Sequence, residues 1–376
     1  MDAFVDEHLG SLKKTTSNPR LMAETIFVGI DLGTSRTSIT ASNGFRKTVW
    51  SYVGYPKDHV ALKRLGGREI IYGQEALENR MSVHLYRPLA GASVKQQGVV
   101  DPEPVKKAIR DLLEYVVREI NAPADAVIYA VIGAPAQASV AGKATILEAA
   151  ANCIDSVIVC SEPFAVAYGL DFLDDTLVID IGAGTTDLCR VHGSMPSSED
   201  QRTHYVAGDS IDQSLSKLIQ EKYPEVQFSI NMVRAIKERH ASVSPKMDEV
   251  EEILPVGGKP KTFNLTEQVY SACYTIVPPT VQALQDLIAT YDPEFQSKMR
   301  NNILLGGGGS QIRGLGRAIE KGLSEYGGGK VTLVEEPQFA GSNGALKIAL
   351  DMPTEFWSEF RTNRELATQG MSGLVS

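Results

Sequence analysis

Two short segments of this chain echo each other 149 positions apart. One reads Ile30-Asp31-Leu32-Gly33-Thr34-Ser35-Arg36-Thr37, the other Ile179-Asp180-Ile181-Gly182-Ala183-Gly184-Thr185-Thr186. In each, an apolar run ends in one Asp, then a small-residue turn, then hydroxyls. That pattern reads as a buried strand bending into a hairpin. Glycine at the bend lets bare backbone N–H groups approach a phosphate. The Asp beside it can hold a divalent cation, usually through water. One copy alone reads equally well as a tight hairpin with a capping Asp. Two copies point to two related halves facing one nucleotide, each gripping its phosphates from one side.

A chain of 376 residues has room for two such halves. The net charge of −9, with no long basic run, argues against nucleic-acid binding as the main task. Cys153, Cys160, Cys189 and Cys273 lack CxxC or CxxH spacing and read as buried thiols of a reduced, cytosolic protein. No apolar stretch reaches the ~18–20 residues of a membrane helix, and no signal-peptide core opens the chain. Residues 1–24 read as a flexible tail. An amphipathic anchor through Phe4, Val5, Leu9 and Leu12 is opposed there by Asp2, Asp6 and Glu7.

Strands are expected at Ile26–Leu32 and Thr37–Ala41, and residues 55–100 read as a small inserted subdomain. Val105, Ile109, Leu112, Leu113, Val116 and Ile120 then recur at helical spacing. A strand at Ala126–Ile132, a turn at Gly133-Ala134-Pro135, a helix over 137–151 and a strand at Ser156–Cys160 succeed it. The second half begins with a strand at Thr176–Ile181, and residues 208–270 break the rhythm as a second insert. A helix carries Val281, Leu284, Leu287 and Ile288 on one face. A strand at Ile303–Leu305 enters Gly306-Gly307-Gly308-Gly309, and a helix over 312–323 and a strand at Val331–Val334 come next. The last helix is expected near Asn343–Leu350. Alternating strands and helices make this an α/β chain with covered sheets.

The hairpins place the candidate chemistry. Asp31 would position Mg²⁺ near the β- and γ-phosphates, with Gly33, Thr34 and Ser35 as donors. Asp180 would face it, with Gly182, Gly184, Thr185 and Thr186 around the phosphates. Gly306, Gly307, Gly308 and Gly309 strip side chains from one surface, so a purine or phosphate could lie on the backbone near the next helix N-terminus. Glu162, after a parallel strand, could orient a water attacking the γ-phosphate, or simply stabilise a helix start. Lys237 and Glu238 could meet a ribose or base, or belong to an exposed charged face.

Together these segments resemble the actin, heat-shock ATPase and sugar kinase superfamily over roughly residues 26–350. The hairpins are similar to its two phosphate motifs, and Gly306–Gly309 to its adenosine motif. The resemblance implies an actin-like fold. Two ribonuclease-H-like domains, each with a smaller inserted subdomain, close on Mg-ATP. It divides the chain into domain I over 25–174 and domain II over 175–340. A C-terminal helix and tail over 341–376 return to domain I. It adds Gly208 and Asp209 to the nucleotide contacts. It places Glu162, Asp180 and Asp187 around the hydrolytic water, with Asp187 standing where actin has a His.

Within the superfamily the fit is to bacterial actins, and among them to the magnetosome filament family, MamK. Val53-Gly54-Tyr55-Pro56-Lys57-Asp58, Ser161-Glu162-Pro163-Phe164 and Gly307-Gly308-Gly309-Ser310-Gln311-Ile312-Arg313-Gly314-Leu315 support it. The first of these is not a general nucleotide motif. This closer resemblance implies an ATPase that polymerises head to tail into dynamic cytoplasmic filaments and positions magnetosomes through adaptor proteins. A small-molecule kinase would need a second pocket with a catalytic Asp, for which no motif stands out. A chaperone-type ATPase would need a peptide-binding domain, yet only 26 residues follow Leu350. A membrane-tethered division actin would need an anchor, and Phe356-Trp357-Ser358-Glu359-Phe360 is a weak one.

Overall fold

The computed structural model describes residues 24–90, 103–246, 248–357 and 359. The expected N-terminal tail up to residue 23, the end of the first insert (91–100) and the last residues from 360 lie outside the described residues. Two five-stranded sheets dominate. The first contains β1 (Thr25–Leu32), β2 (Arg36–Ala41), β3 (Arg46–Trp50), β4 (Val127–Ala134) and β5 (Ser156–Ser161). The second contains β6 (Thr176–Ile181), β7 (Thr186–Val191), β8 (Gln201–His204), β9 (Ile303–Gly306) and β10 (Val331–Leu333).

The two sheets have one topology. Their spatial orders are β3-β2-β1-β4-β5 and β8-β7-β6-β9-β10. In each, three antiparallel strands are joined to two parallel ones. The central strands β1 and β6 read as near-continuous apolar runs because both of their faces are covered. Asp31 and Asp180 occupy the same place in these strands, one residue before the end. Each lies opposite a glycine of the parallel neighbour, Gly133 and Gly306.

A smaller sheet of Val53–Pro56, Ile71–Tyr72 and Val83–Tyr86 rises from the first lobe. The second lobe carries the helices Gly208–Lys222 and Ile230–His240, the hairpin Glu251–Val256/Lys259–Asn264 and the helix Thr266–Tyr274. Each lobe has its own large apolar core. A third cluster joins them, in which Phe164 and Val166 pack with Val178, Leu304 and Ala340.

Several boundaries differ from those read in the sequence. Gly133 and Ala134 continue β4 rather than turning, because β5 extends alongside them. The last helix spans Pro337–Asp351 and begins six residues earlier than expected. Its small residues hide a close-packed seam. A Cβ at Gly344 would lie 1.8 Å from the Ala165 carbonyl, and one at Gly29 would lie 2.0 Å from the Ser342 carbonyl. Ser38 Oγ also donates to the Gln338 carbonyl at 2.6 Å. Of the tail aromatics, Trp357 is not a free surface. Trp357 is fully buried and stacks on Tyr129 with ring centroids 5.1 Å apart. Cys189 and Cys273 are buried, while Cys153 and Cys160 are half-buried. Among the described residues no helix is long and apolar enough to cross a membrane.

Candidate functional site

The C-terminal ends of β1 and β6 face each other across a cavity of about 470 Å³, a size suited to a small ligand. Asp31, Gly33, Thr34 and Ser35 line one side, and Asp180, Gly182, Gly184 and Thr185 line the other. The bends nearly touch, since a Cβ at Gly184 would lie 2.6 Å from Thr34 Oγ1. Glu162 lines the cavity at the start of the helix Glu162–Gly169, directly after β5.

Gly307, Gly308 and Gly309 form another wall. Gly307 needs glycine twice over. Its φ is +71°, and a Cβ there would sit 2.2 Å from Asp180 Oδ1. Gly308 faces open space, with nothing within 4 Å of the Cβ it lacks. The run does not lead straight into an α-helix. Gly308–Gln311 is one 3₁₀ turn, and the helix Leu315–Gly322 starts later, so the expected dipole at the glycines is absent there. Gly306 is the last residue of β9, paired with Asp180, and does not line the cavity.

Asp209, Lys237 and Glu238 also line it. Lys237 is committed to internal partners. Its ammonium donates to the Gly208 carbonyl at 2.8 Å and lies 2.7 Å from Asp212 Oδ1, an ion pair without hydrogen-bond alignment. Glu238 lies 3.8 Å from Arg36, and both are well exposed. Gly208 stands behind the lining, as does Thr186, whose hydroxyl donates to the Val206 carbonyl at 2.9 Å. Asp187 is buried behind the lining as well. One of its oxygens accepts from the Ala136 N–H at 2.8 Å and the Thr203 hydroxyl at 2.6 Å. Asp187 thus stands in the frame directly behind the lining.

Arginines were missed in the sequence. Arg36, Arg234, Arg239 and Arg313 line the cavity. Arg234 had a signal, since it lies three residues before Lys237 on one helix face. At the two bends themselves the charged groups are acidic: Asp31, Asp180 and Glu162. Burial raises the Asp31 carboxyl to about 6. Burial, and then the neighbouring carboxylates, hold Glu162 and Asp180 well above the usual carboxylate range. A site that keeps carboxyls this uncomfortable is suited to a cationic group between them. Among the described residues, no three acidic, His or Cys side chains converge to hold a bare metal ion.

The profile of the MreB/Mbl protein family matches residues 25–354. The chain belongs to this family. It is 39% identical to the actin-like protein MamK of Paramagnetospirillum magneticum, over 89% of this chain and 95% of that protein. The MamK double helical filament matches at a TM-score of 0.84 and 38% identity, covering 88% of this chain and 100% of that one. A non-polymerising MamK mutant bound to AMPPNP matches at a TM-score of 0.67, with the same identity and coverage. The fold is accordingly the actin-like one.

Proposed function

We propose that the protein is an ATP-hydrolysing actin that assembles into cytoplasmic filaments and positions magnetosomes through adaptor proteins on their membranes. The observation that carries this reading is the pairing of two Asp-Gly-hydroxyl bends around one cavity, with Glu162 beside them. The MamK filament and the AMPPNP-bound mutant support it from outside the chain.

The residues present fit magnesium ATP. Gly33, Thr34 and Ser35 on one side and Gly182, Gly184 and Thr185 on the other would offer donors to the phosphates. Asp31 and Asp180 would hold Mg²⁺ through water, since the carboxyls do not form a direct cage. The backbone at Gly307–Gly309 would take the nucleoside. Bound magnesium ATP would supply the cleavable phosphoanhydride, and its Mg²⁺ ion the positive charge that offsets the buried carboxylates.

Glu162 is the hydrolytic group. Its carboxylate, basic because it is desolvated beside other acids, orients a water and takes its proton. The apolar cluster beneath the cavity, with Phe164 and Val166 on the helix that Glu162 opens, fixes where that carboxylate stands. Lobe closure favours the polymerising shape, and hydrolysis relaxes it. Subunits stack head to tail, as an open filament requires.

Sedimentation and electron microscopy with magnesium ATP, magnesium ADP and no nucleotide test the reading, run beside Glu162→Ala. ATP-dependent filaments that outlast wild type in the variant are expected. Monomer throughout, with phosphate passed to a small acceptor, would overturn it in favour of a kinase.

A further inference from the structure

Arg87 follows the strand Val83–Tyr86 of the first lobe, and no motif singles it out. Among the described residues its guanidinium makes three hydrogen bonds. Nε donates to the Thr34 carbonyl at 3.0 Å, and the two terminal nitrogens donate to both oxygens of Asp209 at 2.7 and 3.0 Å. Thr34 is the bend of the first hairpin. Asp209 lies in the first turn of the helix Gly208–Lys222, and its own N–H donates to the Ala183 carbonyl at 2.7 Å. Ala183 is the bend of the second hairpin. One side chain therefore ties both bends together, across the cleft, through a single carboxylate.

The tie is sheltered, with side-chain exposure of 15% at Arg87 and 26% at Asp209. Solvent screens it less than a surface pair. Asp209 also lies 3.6 Å from Arg234, which donates to the Tyr52 hydroxyl of the first lobe at 2.7 Å. The cluster sets three cations, Arg87, Arg234 and Lys237, against Asp209 and Asp212. Its net positive charge turns an acid that would repel a polyphosphate into one that organises cations around it. The planar fork fixes distance and angle as a point charge cannot.

We propose that Arg87 is a positioning residue for the nucleotide: by holding Thr34 to Asp209 it sets the gap between the two bends and so the residence time of a triphosphate. This rests on the nucleotide reading above. The test is the dissociation rate of magnesium N-methylanthraniloyl-ATP, chased with ATP, below the protein concentration that gives sedimentable polymer. Arg87→Met and Asp209→Asn should each speed release about tenfold, the factor that ~1.4 kcal/mol corresponds to. Combined, they should speed it by less than the product of the single effects, because each breaks the same tie while Asp209 also meets Arg234. Arg87→Lys, which keeps charge but not the fork, should speed release more than twofold but less than Arg87→Met, and it carries the test if Arg87→Met does not fold. Release within twofold of wild type in Arg87→Met or Arg87→Lys, even with a lowered melting temperature, would reduce Arg87 to a structural link and overturn the proposal. Single effects that multiply in the double variant would also overturn it. Wild type that fails to bind the analogue would remove the nucleotide reading itself and this proposal with it.

Discussion

The Asp187 carboxylate accepts a hydrogen bond from the Ala136 N–H at 2.8 Å, and so fastens the second sheet to the loop that leaves the first. Asp187 is on β7, opposite Asp180 in the register. Ala136 follows β4, next to Pro135, which lines the cavity. Gln137 continues the seam, since its N–H donates to Thr203 Oγ1 at 3.1 Å and its side-chain amide to the Gln201 carbonyl at the same distance. This seam between the lobes is thus made of ordered hydrogen bonds anchored on one buried acid.

Asp187→Ala should therefore act on stability first. It leaves the Ala136 N–H without its partner, at a cost of about 1–3 kcal/mol. Asp187→Asn keeps an acceptor oxygen and should lose less. Urea unfolding of the three proteins checks this. Unchanged stability in Asp187→Ala, with hydrolysis alone impaired, would return Asp187 to the reacting water.

Glu162 should show the opposite balance. Its carboxyl is desolvated and repelled by Asp31, Asp187 and Asp180, so the native state carries strain there. Glu162→Gln removes the charge and keeps the shape. The apparent melting temperature of nucleotide-free protein should rise by roughly 2–4 °C, while hydrolysis falls about 10²-fold or more. A lower melting temperature together with normal turnover would contradict both halves.

The cleft acids also give stability a pH dependence of fixed sign. Burial raises Asp31 from its usual 3.8 to about 6, so the folded state binds the proton more tightly than the unfolded chain. The stability linked to that proton is complete below about pH 4 and is lost as pH rises through 6. Glu162 and Asp180 are shifted the same way. Asp31→Asn should match wild type near pH 4 in the absence of nucleotide. Its advantage should grow to the order of 3 kcal/mol by pH 7.5. Chemical unfolding across that range reads the difference, and an advantage that shrinks with pH would refute the assignment.

Sequence makes legible what neighbours along the chain determine. The bends at Gly33 and Gly182, their acids and the apolar strands feeding them carry local signals, and they meet around one cavity. Arg87 carries none, because its meaning lies in Asp209, 122 positions away. The same holds for Asp187, whose neighbours in sequence look catalytic while its hydrogen bonds come from Ala136 and Thr203. Trp357 read as a tail aromatic because Tyr129, the ring it stacks on, belongs to a distant strand. The early start of the helix at Pro337 was hidden by Gly341 and Gly344, poor helix formers that close packing requires.

The glycines separate packing from binding in a last prediction. Gly344 and Gly308 both lie on walls that need a smooth surface, yet a methyl group meets different things at each. At Gly344 it would enter the backbone of the helix Glu162–Gly169, 1.8 Å from the Ala165 carbonyl. The helices must then part, at a cost of about 1–3 kcal/mol or more, and Gly344→Ala should express poorly or melt early. At Gly308 the methyl meets no protein atom within 4 Å and projects into open space on the cavity wall. Gly308→Ala should therefore keep the wild-type melting temperature without nucleotide and lose affinity for magnesium ATP. Thermal shift with and without the nucleotide separates the two effects. A Gly308→Ala protein that binds as well as wild type would show that the nucleoside does not lie on this wall.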